Sequence, residues 1–88
     1  MIIAQSKSFK KDSTKFTMSD KHYTKFIEYL YLLSNEKNLP PEAVDHKLTG
    51  DWTGFRECHI SGDLLLIYRV FNNQVELIRI GTHTQLFD

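Results

Sequence analysis

Tyr23, Phe26, Ile27, Leu30 and Leu33 recur at three- and four-residue steps, the stripe of an amphipathic helix. Ser19 or Asp20 stands ahead of it as an N-cap, and the stripe runs out near Asn35–Asn38. Upstream, "MIIAQ" reads as a short first strand. Phe9 and Phe16 lie two helical turns apart among Lys7, Lys10, Lys11 and Lys15, which predicts a basic amphipathic helix of two to three turns beginning at Ser6. Pro40 and Pro41 disfavour helix before them and allow one short turn after. "DHKLTGDWTG" is loop-like, punctuated by Gly50 and Gly54. The pattern then changes to strand: "FRECHI", "DLLLIYRVF" and "QVELIRIG" are joined by Ser61-Gly62 and Asn72-Asn73, both two-residue hairpin signals. The predicted order is β-α-α-β-β-β. This is an α+β fold, with two N-terminal helices packed on a mainly antiparallel four-stranded sheet in a single domain over residues 1–88.

If both turns have two residues, register follows. His59 then opposes Leu64, Glu57 opposes Leu66, Leu66 opposes Arg79, and Leu64 opposes Gly81. Side-chain alternation puts Cys58, Ile60, Leu65, Ile67, Ile78 and Ile80 on one face, the floor for the helices. The other face collects Glu57, His59, Leu64, Leu66, Tyr68, Leu77 and Arg79, and continues to His83 if the strand stays extended. Gly81 leaves a gap near His59. Ionisable groups thus gather on the side away from the helices, unless a one-residue bulge flips part of the assignment.

No apolar run approaches the ~20 residues of a membrane span, and the N-terminus lacks the apolar core of a secretory signal. One cysteine, Cys58, cannot form an internal disulfide and suits a reducing cytoplasm. The net charge is zero but uneven. Residues 1–38 carry seven lysines against four acids, and the rest of the chain carries four basic against seven acidic residues. The lysine-rich front suits an acidic partner or phosphates, or simply a solvated helix face.

The stretch from Asp45 to Phe87, with its "DHKL", "GFRECH", the aspartate followed by "LLLIYR", and the closing "RIGTHTQLF", resembles the C-terminal half of the YafQ branch of RelE-like toxins. The resemblance implies the toxin of a type II toxin–antitoxin pair, a cytoplasmic endoribonuclease that cleaves mRNA without a metal or other cofactor, often at the ribosome. Carried over by position, His46, His59, Asp63, Arg79, His83 and Phe87 match the family's catalytic and RNA-contacting set. A tryptophan common after the aspartate is Leu64 here, and Trp52 in the adjoining loop is the candidate to replace it.

Metal-free RNA cleavage requires a base for the 2′-OH, positive charge for the phosphate, and an acid for the departing 5′-oxygen. Histidine suits both proton transfers, and arginine can fork two hydrogen bonds to phosphate. On this reading His83 is the acid, Arg79 the phosphate stabiliser, and His46 or His59 the base. Asp63 orients a histidine or serves as base itself, and Phe87 stacks on a nucleobase. The bland alternative for Arg79 is a salt bridge to Glu57; Tyr68 reads as packing and Cys58 as an inert core thiol. Two rival functions stay open: a metal site built from His59, Asp63 and His83, and a binding module without catalysis. The expected partners are mRNA, a ribosome, and an antitoxin whose acidic residues meet Lys7, Lys10, Lys11 and Lys15.

Overall fold

The structure, a computed structural model, describes residues 1–87, leaving Asp88 outside. Strand β1 (Ile2–Gln5) leads into helix α1 (Lys7–Ser13) and helix α2 (Asp20–Ser34). Then come β2 (His46–Lys47), β3 (Arg56–Ser61), β4 (Leu64–Phe71), β5 (Gln74–Thr82) and a terminal helix α3 (His83–Phe87). The sheet has five strands in the order β1-β5-β4-β3-β2, with β1 parallel to β5 and the other pairs antiparallel. The α+β arrangement is therefore as expected, but the sheet gains β2, and the chain turns into a third helix where an extended strand to His83 was expected. No helix among the described residues is long and apolar enough to cross a membrane.

Both main helices begin at serine caps. The Phe9 amide donates to Ser6 Oγ and the His22 amide donates to Ser19 Oγ, each satisfying one of the orphan donors of a first turn. Helix α1 ends before Phe16, which nevertheless packs against the same core beyond the helix end. Ser6 also fastens α1 to the sheet, with its amide donating to the Leu77 carbonyl and its hydroxyl to the Ile78 carbonyl.

The two hairpins decide which side chains face which layer. Asn72 and Asn73 both have positive φ, 51° and 59°, the signature of a type I′ turn, and Phe71 pairs with Gln74 as expected. In the first hairpin the turn sits one residue later than expected: Ser61 pairs with Leu64, so Gly62 and Asp63 form the bend, and Gly62 takes the left-handed φ of 51°. Each hairpin also contains a bulge, between His59 and Ser61 in one and beside Ile67/Tyr68 in the other. His59 consequently opposes Leu65 rather than Leu64, and Arg79 opposes Ile67 rather than Leu66.

These slips correct the expected faces. Leu64, Leu66, Tyr68 and Leu77 lie under the helices with Cys58, Ile60, Ile80, Phe9, Phe26, Tyr29 and Leu33. Leu65 and Ile67 belong to the opposite face, where they pack with Leu86 of α3 and with Leu48, Trp52, Phe55, Ile78 and Phe87. Glu57, opposite Ile67, and His59, opposite Leu65, share that second face, as expected, and so does Arg79.

Gly81 opposes Leu65, and the expected gap beside it is filled by α3. A methyl group there would stand 2.9 Å from Gln85 Oε1 and 3.3 Å from Leu86 Cδ2. That glutamine oxygen accepts the Thr82 amide, while Thr82 Oγ1 accepts the Gln85 amide, the reciprocal capping box that starts α3. Gly81→Ala is expected to displace Gln85, cost about 1–2 kcal/mol, and loosen the helix that begins at His83. Thermal unfolding together with amide exchange over residues 82–87 checks this.

Candidate active site

Antiparallel pairing of β2 with β3 sets His46 opposite Glu57, and His59 follows Glu57 on the same face two residues later. The Glu57 carboxylate is buried, with its Oε1 3.6 Å from His46 Nε2 and 3.7 Å from His59 Nε2. The two imidazoles, by contrast, are 45% and 36% exposed. A buried acid thus lies within ion-pair distance of two partly exposed rings. His46 Nδ1 lies 2.7 Å from the Val44 carbonyl; because a carbonyl only accepts, that nitrogen carries the proton, and Nε2 is the one aimed at Glu57.

The backbone before His46 is bent to make this contact. Val44 has φ 48° and ψ 43°, left-handed values that cost a β-branched residue energy. The next residue, Asp45, accepts two hydrogen bonds from Arg56, at 3.3 and 3.0 Å, and one from the Tyr68 hydroxyl at 2.5 Å. Burial and then the Asp45 contact push the Tyr68 phenol well above its usual range, so it is a fixed donor beneath the site. The Cys58 thiol is likewise pushed up, by burial first and then by the charges of Asp45 and Glu57, and is inert.

Arg79 does not pair with Glu57. The two flank Ile67 on either side of β4, roughly 10 Å apart by strand spacing. Its partner is Asp12, from the turn of α1 that covers β5 beyond the end of β1. Arg79 Nε donates to Asp12 Oδ2 at 2.6 Å and Nη2 donates to Oδ1 at 3.1 Å, while the Ile80 amide also donates to Oδ2 at 3.1 Å. Asp12 is 5% exposed and its burial would raise its pKa. The Arg79 hydrogen bond, the Ile80 amide, and the charges of Arg79 and Lys15 outweigh that and hold the carboxyl below its usual range. Arg79 Nη1 stays free, on a side chain still 25% exposed.

At the end of the first hairpin, the His83 amide donates to Asp63 Oδ1 at 3.5 Å. The His83 ring lies 5.0 Å from Phe87, whose ring meets Trp52 edge-on at 6.1 Å. Asp63 therefore steers the start of α3 through the backbone. Trp52 is half-buried in the aromatic cluster over β4. Lys7, Lys10, Lys11 and Lys15 are all exposed, the first three on α1 and Lys15 just past its end. His59, Asp63 and His83 do not form the metal site considered as a rival: among the described residues no three ligand-type side chains lie close enough to hold an ion.

A family profile described as a bacterial toxin of type II toxin–antitoxin system, YafQ, matches residues 1–88. The chain belongs to the YafQ family. It is 36% identical to the mRNA interferase toxin YafQ of Escherichia coli strain B / BL21-DE3 over 87 residues, covering 97% of this chain and 94% of the relative. The fold superimposes on a copper-bound mutant toxin from Helicobacter pylori with a TM-score of 0.89, at 36% identity and 98% coverage of both chains. It superimposes on YafQ in the Escherichia coli DinJ–YafQ complex with a TM-score of 0.81, at 32% identity, covering 98% of this chain and 97% of that one.

In this YafQ-family chain, two participants in the site carry little signal in the sequence. Glu57 lies on the expected face, but its neighbours are His46 and His59 and not the expected Arg79. Asp12 had one available signal: it follows Phe9 by three residues and so shares the buried side of α1.

Proposed function

We propose that this chain, an mRNA interferase by family, cleaves its substrate by metal-independent transesterification on the face shared by Glu57, His59 and Arg79. The observation that carries this reading is the buried Glu57 carboxylate between two partly exposed imidazoles, two strands from a clamped guanidinium. Glu57 steers His59, as a carboxylate steers histidine in other acid–base sites, and His59 removes the 2′-OH proton. His46, on the other side of the same carboxylate, is the rival base, with Asp63 as the third candidate.

The 2′-oxygen attacks phosphorus, and the free N–H groups of Arg79 bind the charge that builds on the phosphoryl oxygens. His83 protonates the departing 5′-oxygen, and Phe87 and Trp52 support an adjacent base. The products are a 2′,3′-cyclic phosphate and a 5′-OH. The reaction takes place in the cytoplasm on mRNA, and the near-zero net charge, which gives little non-specific RNA affinity, favours mRNA presented by a ribosome. As a type II toxin the chain has an antitoxin, as its Escherichia coli relative has DinJ; acidic residues of that partner meet Lys7, Lys10, Lys11 and Lys15.

Incubating the toxin with RNA in EDTA, with and without ribosomes, and mapping product ends tests the chemistry. Cyclic-phosphate and 5′-OH ends are expected, and His83→Ala is expected to slow cleavage by about 10²-fold or more. Activity abolished by EDTA, or a folded His83→Ala variant as fast as its parent, would refute the assignment.

A further inference from the structure

The face that carries Glu57 and His59 also bears a second run of aromatic and cationic groups. Arg69 stands two residues from Ile67 on β4 and so points to the same side. Its guanidinium carbon lies 4.7 Å from the centroid of the Phe71 ring and 5.4 Å from that of Phe55. Phe55 packs edge-on against Trp52 at 5.7 Å, and Trp52 leads through Phe87 to His83. The result is a continuous ladder of flat groups from the far end of the sheet to the proposed acid. Its outer rung is open, since Phe71 is 51% exposed.

Beside Arg69 runs a groove of about 380 Å³ whose walls include Lys47, Phe55, Arg56 and Val70. Lys47 directly follows His46 and Arg56 directly precedes Glu57, so both leave the strands on the side opposite the two site residues, and the groove lies at the end of the sheet, where Arg69 and Phe55 reach it from the site's face. The charges of Arg69 and Arg56 are matched by Glu76 and Asp45, whereas exposed Lys47 has no carboxylate partner among the described residues. Stacking surfaces alternating with cations beside one unmatched positive charge are what single-stranded nucleic acid requires, because every base has a π-face and every linkage a charge.

We propose that this groove, together with the exposed Phe71 ring stacked on its Arg69, binds the single-stranded RNA adjoining the scissile phosphate, with a base on Phe71 and a phosphate at Lys47. The proposal rests on the RNA-cleavage reading of the neighbouring site and extends it to the substrate's flank. The test is fluorescence anisotropy with a labelled 2′-O-methyl oligonucleotide of about twelve residues, within the span of known single-strand sites. That probe lacks the attacking hydroxyl and cannot be cut. Phe71→Ala is expected to weaken binding about tenfold, and Phe71→Trp to preserve it. Lys47→Ala is expected to flatten the salt dependence by about 0.7 in log–log slope.

The proposal fails if folded Phe71→Ala, checked by circular dichroism, binds the probe as the parent does. It fails equally if that variant keeps RNA affinity and loses affinity for the antitoxin, which would make the groove a protein-docking surface. If the toxin binds the probe through Phe71 but leaves no cyclic-phosphate ends on cleavable RNA, the groove assignment stands and the cleavage reading falls.

Discussion

Asp12→Ala is expected to destabilise the fold by about 3–4 kcal/mol, the range for removing one partner of a buried ion pair. The carboxylate is 5% exposed and accepts three hydrogen bonds. Its removal strands the Arg79 charge and leaves the Ile80 amide without an acceptor, itself a loss of about 1–3 kcal/mol. No strand covers that edge of β5, since β1 pairs only as far as Leu77 and β4 lies along the other edge. Asp12→Asn keeps the shape and one acceptor oxygen, so it should cost less, and its penalty should depend on pH. Because the folded-state pKa of Asp12 is lowered, the ionised group stabilises fully above the ordinary carboxylate value of about 3.9. That contribution is lost as pH falls through the lowered value. Urea midpoints of parent and Asp12→Asn should therefore converge in acid; a gap constant from neutral pH to strong acid would show that the carboxylate's charge is not what holds α1 to the sheet.

Why this contact was invisible in the sequence, while both hairpins were visible, has a physical answer. A type I′ turn is written in two adjacent residues, and Asn72-Asn73 fixes its own register locally. The Asp12–Arg79 pair joins residues 67 apart in sequence, and α1 looks like a lysine-rich surface helix until its contact with the sheet edge is known. The faces of "DLLLIYRV" differ from the expected ones for a different reason. Leu64, Leu66 and Tyr68 are buried under α1 and α2, while Leu65 and Ile67 are buried under α3 and the aromatic loop. A strand covered on both sides has no alternation to read, so its assignment hung on turn geometry, and the shift from Ser61-Gly62 to Gly62-Asp63 reversed it. Glu57, His59 and Arg79 still fell on one face because bulges moved β4 relative to both neighbouring strands. The end of β5 does have a sequence signal: Thr82 and Gln85 have capping-box spacing, which stops the strand short of the extended run to His83.

Arg79→Lys is expected to reduce cleavage by about 10²–10³-fold, the loss usual for a donor aimed at developing oxyanion charge, while costing far less stability than Asp12→Ala. The two effects separate because the guanidinium does two jobs with different atoms. Nε and Nη2 engage Asp12, and Nη1 remains free on a side chain that is one quarter exposed. A lysine ammonium is a single point of charge without the rigid fork. It can neutralise Asp12 but cannot hold that carboxylate and present separate donors to a phosphate in fixed geometry. The fold should therefore remain while the phosphate site empties. Single-turnover cleavage and urea unfolding of the same preparation decide the matter. If Arg79→Lys cuts within about threefold of the parent, Arg79 serves only to fasten α1, and the charge that meets the scissile phosphate must come from another group on this face.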